Sequence, residues 1–375
     1  MVNILIDGNH FTRSTFEAMP DTERINQNNI LDIWIKNLYH KLQPFKGNLK
    51  RVIFAVDDRT WRSDCFDEIS YKGSRKEKND QKTDEEKEII NNFFDKYNQL
   101  KEILEKDYGF EIIQITGAEA DDVIFYWSRK LNQAGENVII VSGDSDLRQL
   151  LTFNEKAWTI IEESNINHRI LCAPGWRQNI VDNKGDIFDL KNSQFDSSLE
   201  TYLKKFENIV DIDPMESVLI KIVSGDSSDD IPSIYYKKTK KGFQRLGEGR
   251  AKNIYNLYLQ NHGKINNNEL PTEKFKTNFT KIIINVAKIE DKSFTEILSK
   301  FERNMTLIHL HSAHIPSGII EAIRVDYENR FENLFPGVKQ MERKMDKFKQ
   351  TKYSSEDIDK KYNPVDDFKI DDFEI

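Results

Sequence analysis

Glu119, Asp121 and Asp122 follow Gly117, and Asp144 and Asp146 follow Gly143, so two short acidic clusters flank the apolar run 138–141. Carboxylates held a few ångströms apart raise one another's pKa and cannot all ionise without compensation. A hard divalent cation with oxygen ligands supplies it. Further carboxylates stand at comparable points: Asp7 after the run 2–6, Asp57 after 51–56, and Asp226 and Asp229 in Gly225-Asp226-Ser227-Ser228-Asp229-Asp230. A set this acidic suits two magnesium ions, with manganese able to replace them, and such pairs stabilise the attacking and leaving oxygens of a phosphoryl transfer together. No GxxxxGK[ST] loop is present, which disfavours a nucleoside triphosphatase. His10 and His168 are the histidines near these motifs, too few for a zinc hydrolase. Hydrolysis of a phosphodiester by water is the reaction to expect, with Asp144 at its centre. Any one aspartate at a strand end has an ordinary role as a helix cap or turn residue; the convergence of four clusters carries the reading.

These side chains need elements to bring them together. Residues 2–6, 51–56, 111–116 and Asn137–Val141 read as buried strands, each followed by carboxylates, and ligands of open α/β sheets sit outside the carboxyl ends of parallel strands. Two shorter strands follow at 157–161 and Arg169–Cys172. Ile30, Leu31, Trp34, Leu38 and Leu42 form a helical stripe closed by Pro44, residues 123–131 a second helix, and Asp146 the start of a third. The charged insertion over 61–106 holds a basic segment, 71–78, and a helix over 83–104 that opens on a Thr83/Glu86 capping box. The Gly-, Pro-, Asn- and Asp-rich stretch 173–196 marks a domain boundary. Helices are expected at 199–206, 214–223 and 252–259. Residues 273–335 show helical periodicity without a chemical motif. The expected division is an α/β core over 1–185 with its insertion at 61–106, a helical domain over 186–338, and a flexible, acidic tail over 339–375.

At 375 residues the chain is long enough for two cores. No run is long enough to span a membrane and the first strand begins directly, which predicts a cytoplasmic protein without membrane association. Cys65 and Cys172 form neither a zinc spacing nor a disulfide framework. The formal net charge of −8 would argue against a nucleic-acid partner. The signs are segregated, however: Lys237, Lys238, Lys240, Lys241, Arg245, Arg250 and Lys252 form a basic block opposed only by Glu248.

Taken in order, Leu5-Ile6-Asp7-Gly8, Val56-Asp57, Glu119-Ala120-Asp121-Asp122, Ser142-Gly143-Asp144-Ser145-Asp146 and residues 225–232 make the chain similar to the 5′-nuclease family of flap endonucleases and 5′-3′ exonucleases, closest to the stand-alone ribonuclease H enzymes of T-even-like bacteriophages. The resemblance covers residues 2 to about 260. It implies a PIN-like parallel-sheet nuclease core with a helical arch, followed by an α-helical, helix-hairpin-helix-type domain. It implies that Asp7, Asp57, Glu119, Asp121, Asp144 and Asp146 bind the more tightly held pair of metal ions, with Asp122 beside them and Asp226 and Asp229 at the second site. Tyr71, Lys72, Gly73, Ser74 and Arg75, with Arg62 upstream, would belong to the arch. There Lys72 and Arg75 would contact the scissile phosphate as catalytic residues, and Tyr71 would stack on a terminal base. Residues 226–251, with Gly247, Gly249 and Arg250, would grip a duplex backbone with a bound potassium ion. Asp230 stands where the family usually has Asn, and the 233–243 loop is longer and richer in lysine than the usual turn.

The activity so implied is magnesium-dependent removal of RNA primers and 5′ flaps during replication, by a monomer in the bacterial host cytoplasm if phage-encoded. DNA and RNA–DNA hybrid would be the partners, with a single-strand-binding protein or clamp docking on Phe368, Ile370, Phe373 and Ile375 of the tail. An RNA-processing nuclease with the same core, and an inactive DNA-binding scaffold, are the competing readings. The basic second domain opposes the first and the full carboxylate set opposes the second.

Overall fold

The computed structural model describes residues 1–163, 169–178, 208–239, 242–265, 270, 272–289 and 294–332. The apolar runs form strands β1 (Val2–Asp7), β2 (Leu49–Val56), β3 (Glu111–Gln114), β4 (Asn137–Val141), β5 (Thr152–Phe153), β6 (Trp158–Glu163), β7 (Arg169–Cys172) and β8 (Asn208–Asp211). They make one sheet in the order β3-β2-β1-β4-β6-β7-β8, with β5 against β6. The pairs from β3 through β6 are parallel, β7 runs antiparallel to β6, and β8 parallels β7. A central parallel sheet is covered on both faces, so its strands are apolar throughout rather than alternating. The register pairs Ile6 with both Phe54 and Val141, which brings Asp7, Asp57 and residues 142–146 to one edge.

Helices α1 (Gly8–Glu17), α2 (Asp21–Asn26), α3 (Ile30–Leu42), α4 (Gly73–Asp80) and α5 (Asp84–Ile103) come next in the first half. Ile30, Trp34, Leu38 and Leu42 are the buried positions of α3, which keeps the expected limits. The capping box at Thr83 is formed in both directions, Thr83 N to Glu86 Oε2 at 2.7 Å and Glu86 N to Thr83 Oγ1 at 3.2 Å. Phe93, Tyr97 and Leu100 of α5 nevertheless join the core beside Trp34. Within the insertion Trp61 and Ile69 are also buried in the core, and it is α4 that has no buried residue. Opposite α3 and α5, helix α6 (Ala120–Gln133) covers the other face through Val123, Ile124, Trp127 and Leu131. It begins earlier than its apolar pattern, because Glu119 and Asp122 cap its first turn. The helix expected from Asp146 is a 3₁₀ turn over Ser145–Leu150.

A third core unites α7 (Pro214–Ser224), α8 (Glu248–His262), α9 (Glu273–Ala287) and α10 (Phe294–Ile308) around Ile222, Phe279 and Phe301. Between α7 and α8 lies the hairpin β9 (Tyr236–Thr239) and β10 (Gly242–Arg245). The chain does not divide at residue 186 as the sequence suggests: β8 extends the core sheet, and α11 (Ser317–Glu332) returns to α6, with the Tyr327 ring 4.7 Å from that of Trp127. The helix expected at 199–206, the tail, His168, Lys240 and Lys241 lie outside the described residues. Among the described residues no helix is long and apolar enough to cross a membrane.

Arg51 fixes that return. Its buried guanidinium pairs with buried Glu111 at 2.9 Å and donates to Arg330 O and Phe331 O at 3.0 Å each, satisfying carbonyls that the end of α11 would leave unpaired. Arg51→Ala strands the Glu111 carboxylate, and removing one partner of a buried pair costs about 3–5 kcal/mol. Urea unfolding measures this, and a loss below about 1 kcal/mol would show that the clamp is dispensable.

Candidate active site

Each acidic cluster is placed by local backbone chemistry. Asp7 ends β1 and caps α1, accepting from His10 N at 3.0 Å, while its other oxygen accepts from Ser142 Oγ at 2.9 Å. Gly8 must be glycine: a Cβ there would lie 2.4 Å from the Phe54 ring and 2.7 Å from Ala55 O. Asp57 accepts from Ala120 N at 2.7 Å and from Asn9 Nδ2 at 2.8 Å, and Tyr97 donates to Asn9 Oδ1 at 2.7 Å. Asp144 caps the turn after β4 by accepting from Asp146 N at 2.8 Å. Gly225 ends α7 with φ +80°, and the loop it opens is closed by paired bonds of 2.8 Å between Asp226 and Ile231.

The electrostatics divide the carboxylates into two groups. Burial above all, then repulsion from Asp144, pushes Asp7 up to about 6. Burial and the neighbouring Asp7 push Asp57 up to about 7. Asp146 rises to about 7 through burial, with Asp144 and Asp226 offsetting the pull of Lys221. Asp121 rises well above the carboxylate range through burial, then Asp144 and Asp7. Glu119 behaves oppositely: although burial opposes ionisation, Arg62 and Lys72 hold it down at about 2. Lys72 Nζ reaches Glu119 Oε1 at 2.5 Å, and Lys221 Nζ lies 2.6 Å from both Asp146 and Asp226.

Asp7, Asp57 and Asp121 are thus crowded acids, Asp146 shares the cation Lys221 with Asp226, and all their donors are hard oxygens. That donor set fits divalent cations of the magnesium class. Among the described residues no three ligating groups already stand in metal-binding geometry. The carboxylates turn instead to backbone N–H groups and to the lysines and arginines between them.

The base of the arch is pinned to the second acidic loop. Arg75 Nη2 lies 2.8 Å from Asp229 Oδ1, and Tyr71 OH donates to Asp229 Oδ2 at 3.0 Å. Asp230 adopts φ +58° and accepts from both Ser74 N and Ser74 Oγ at 2.8 Å, capping α4 from across the cleft. Asp229 is raised by burial, against the pull of Lys72 and Arg75. On the far side, Gly247 caps α8 without a side-chain bond, and nothing lies within 4 Å of where a Cβ would stand at Gly247 or Gly249. Arg245 and Arg250 are exposed nearby, and Lys252 pairs with Glu216 at 2.6 Å. The side chains of Lys237 and Lys238 fall outside the described residues.

One expected assignment changes. Arg62 is no surface contact for nucleic acid: it is 4% exposed and grips Glu119 Oε2 at 2.5 Å, Asp122 at 2.8 and 3.1 Å, and Leu307 O at 3.0 Å. Asp122, expected beside the metal ligands, is fully buried against Arg62 and Trp61 Nε1. Sequence reasoning also passed over Lys221, whose signal is its place on the helix five residues before Asp226. Asn9 and Ser142, each two residues from an aspartate of the acidic edge, were likewise missed.

The model of the 5′-3′ exonuclease N-terminal resolvase-like domain matches residues 2–172. A 5′-3′ exonuclease of Buchnera aphidicola is 27% identical over 259 residues, 68% of this chain and 72% of its own length. One from Aquifex aeolicus is 24% identical over 305 residues, 81% of this chain and 82% of its own. A bacteriophage T5 flap endonuclease, solved as a pseudo-enzyme–product complex with DNA and metal ions, shares the fold with a TM-score of 0.54 at 17% identity, covering 92% of this chain and all of that one. With the acidic motifs assembled at one sheet edge, these matches agree: residues 2–172 form a 5′-3′ exonuclease N-terminal resolvase-like domain, and the chain is similar to 5′-3′ exonucleases over most of its length.

Proposed function

We propose that the protein is a magnesium-dependent, structure-specific 5′ nuclease that removes RNA primers and 5′ flaps during replication, acting on RNA–DNA hybrid as well as flapped DNA. The observation that carries this reading is the set of crowded acids at the carboxyl edge of the parallel sheet, roofed by a cationic arch base. Asp7, Asp57, Glu119, Asp121, Asp144 and Asp146 would hold one pair of ions, with manganese able to replace magnesium, and Asp226 and Asp229 would serve the second site. When bound, divalent ions supply positive charge to the attacking and leaving oxygens of a phosphodiester.

The remaining tasks fall to this chain's own residues. Lys72, Arg75 and Lys221 neutralise carboxylates in the structure. Lys72 and Arg75 would turn from these carboxylates to the scissile phosphate and stabilise its developing charge. Tyr71 offers an aromatic face to the terminal base, which needs no sequence. The open N-terminus of α8, with Arg245 and Arg250, binds a duplex phosphate, with potassium at the preceding turn. A single-strand-binding protein or clamp would dock on Phe368, Ile370, Phe373 and Ile375 of the tail.

The reading predicts a polarity. With magnesium, a 5′-labelled flap and the RNA strand of a hybrid are cut to short 5′-phosphorylated products, while a 3′ flap of equal length is cut about a hundredfold more slowly, a difference of about 2.7 kcal/mol in transition-state binding. Equal cutting of both flaps would contradict a 5′ nuclease. Cleavage of DNA flaps with an intact hybrid would remove only the ribonuclease H part.

A further inference from the structure

Three of the segments that carry the site's carboxylates, those of Glu119, Asp146 and Asp226, are tied directly or through Arg62 and Gln149 to one short segment, residues 304–310, at the end of α10. Asn304, fully buried, donates from Nδ2 to Ile222 O at 2.9 Å and Pro232 O at 2.8 Å, and so spans the two ends of the loop that holds Asp226 and Asp229. Three residues on, Leu307 O accepts from Arg62 Nε at 3.0 Å, and Arg62 in turn holds Glu119. Gln149, 2% exposed, makes the third connection. Its Nε2 donates to Ile308 O at 3.0 Å and to Asp146 O at 2.8 Å, while its Oε1 accepts from Leu310 N at 2.8 Å.

The amide of Gln149 therefore bridges the backbone of a ligand residue to the same segment that Arg62 and Asn304 hold. The donors and acceptor of this buried amide are used, so no shorter or apolar side chain reproduces the set. Crowded acids repel one another, and the backbone carrying them must resist that push before metal arrives. A segment anchored in the third core is well placed to supply this resistance, because Phe301 and Met305 hold it outside the nuclease sheet.

We infer that Gln149 and Asn304 are positioning residues that hold the backbone of the acidic loops together through residues 304–310, so that the third core sets the affinity of the catalytic site for its ions. The inference rests on the metal-dependent reading above. Groups that orient ligands from behind typically contribute about ten- to a hundredfold in metal affinity. A merely structural role, two buried amides kept satisfied, would lower stability without touching metal affinity.

The test measures Mn2+ binding to the full-length protein by electron paramagnetic resonance, for wild type, Gln149→Met, the milder Gln149→Asn, and Asn304→Leu. Arg51→Ala, at the foot of the sheet, serves as the destabilised control. Folded Gln149 and Asn304 variants should bind Mn2+ about tenfold or more weakly, and the metal needed for half-maximal flap cleavage should rise by the same factor. Flap binding measured in Ca2+ should stay within about twofold of wild type, while Arg51→Ala loses stability but not Mn2+ affinity. Gln149→Met and Asn304→Leu ask whether loss of the bridge matters; Gln149→Asn keeps the amide and its folding but cannot span both partners. Unchanged Mn2+ affinity in the folded variants would overturn the inference and leave the metal reading intact. A wild type that binds no Mn2+ would overturn both.

Discussion

Asp144→Asn is expected to leave the protein folded and bound to DNA while slowing single-turnover cleavage about 10³-fold or more, a loss of about 4 kcal/mol in transition-state stabilisation. The substitution keeps the oxygen that accepts from Asp146 N, so the turn after β4 stays capped. What it removes is charge. Asp144 is a repulsive neighbour of Asp7, Asp121 and Asp146 alike, which puts it at the middle of the cluster. Without metal, its loss relieves those acids, so the metal-free variant should unfold no earlier than wild type. With metal, a central ligand charge is gone and the reaction suffers. Thermal unfolding with and without Mg2+, beside single-turnover rates, separates the two effects. A variant within tenfold of wild-type rate would remove Asp144 from the catalytic set.

Arg62→Ala should cost stability rather than substrate affinity alone. The guanidinium lies 4.6 Å from the centroid of the Trp61 ring and compensates two buried carboxylates, Glu119 and Asp122, while satisfying Leu307 O. Stripping that centre leaves uncompensated buried charge, and about 3–5 kcal/mol of unfolding free energy is at stake. The pH dependence carries a sign. In the metal-free protein Glu119 sits at about 2, below its ordinary 4.5, so its ionised form contributes stability that is present above the ordinary value and lost as pH falls through about 2. Arg62 is the leading favourable cause of that depression, so the gap between wild type and Arg62→Ala should narrow as the solution is acidified. A variant with wild-type stability and only weakened flap binding would restore Arg62 to the role of a DNA contact.

The contrast between Arg62 and Lys72 shows where sequence becomes insufficient. Both are cations of the insertion and both end on Glu119, but only Lys72 and Arg75 stand where a substrate could reach them. Burial of Arg62 depends on Leu307, 245 residues away, and no local pattern encodes that contact. Asp121 and Asp122 are neighbours on α6 and so point about 100° apart. One turns to the acidic cluster and the other to Arg62, a choice fixed by the sheet beneath. Strand ends were legible because buried parallel strands are continuous apolar runs and ligands collect at their carboxyl ends. The limits of α3 and the box at Thr83 were legible because caps and periodicity act locally. Helix α11 hid its return to the core, since its anchor to Arg51 spans 279 residues.

The central claim is that the acids at the sheet edge work by holding divalent metal. It is tested most directly by the initial rate of 5′-flap cleavage as Mg2+ is titrated into EDTA-stripped protein. The account predicts no cleavage without metal, a saturable rise with Mg2+, and a comparable rise with Mn2+. Cleavage that persists in excess EDTA would contradict it.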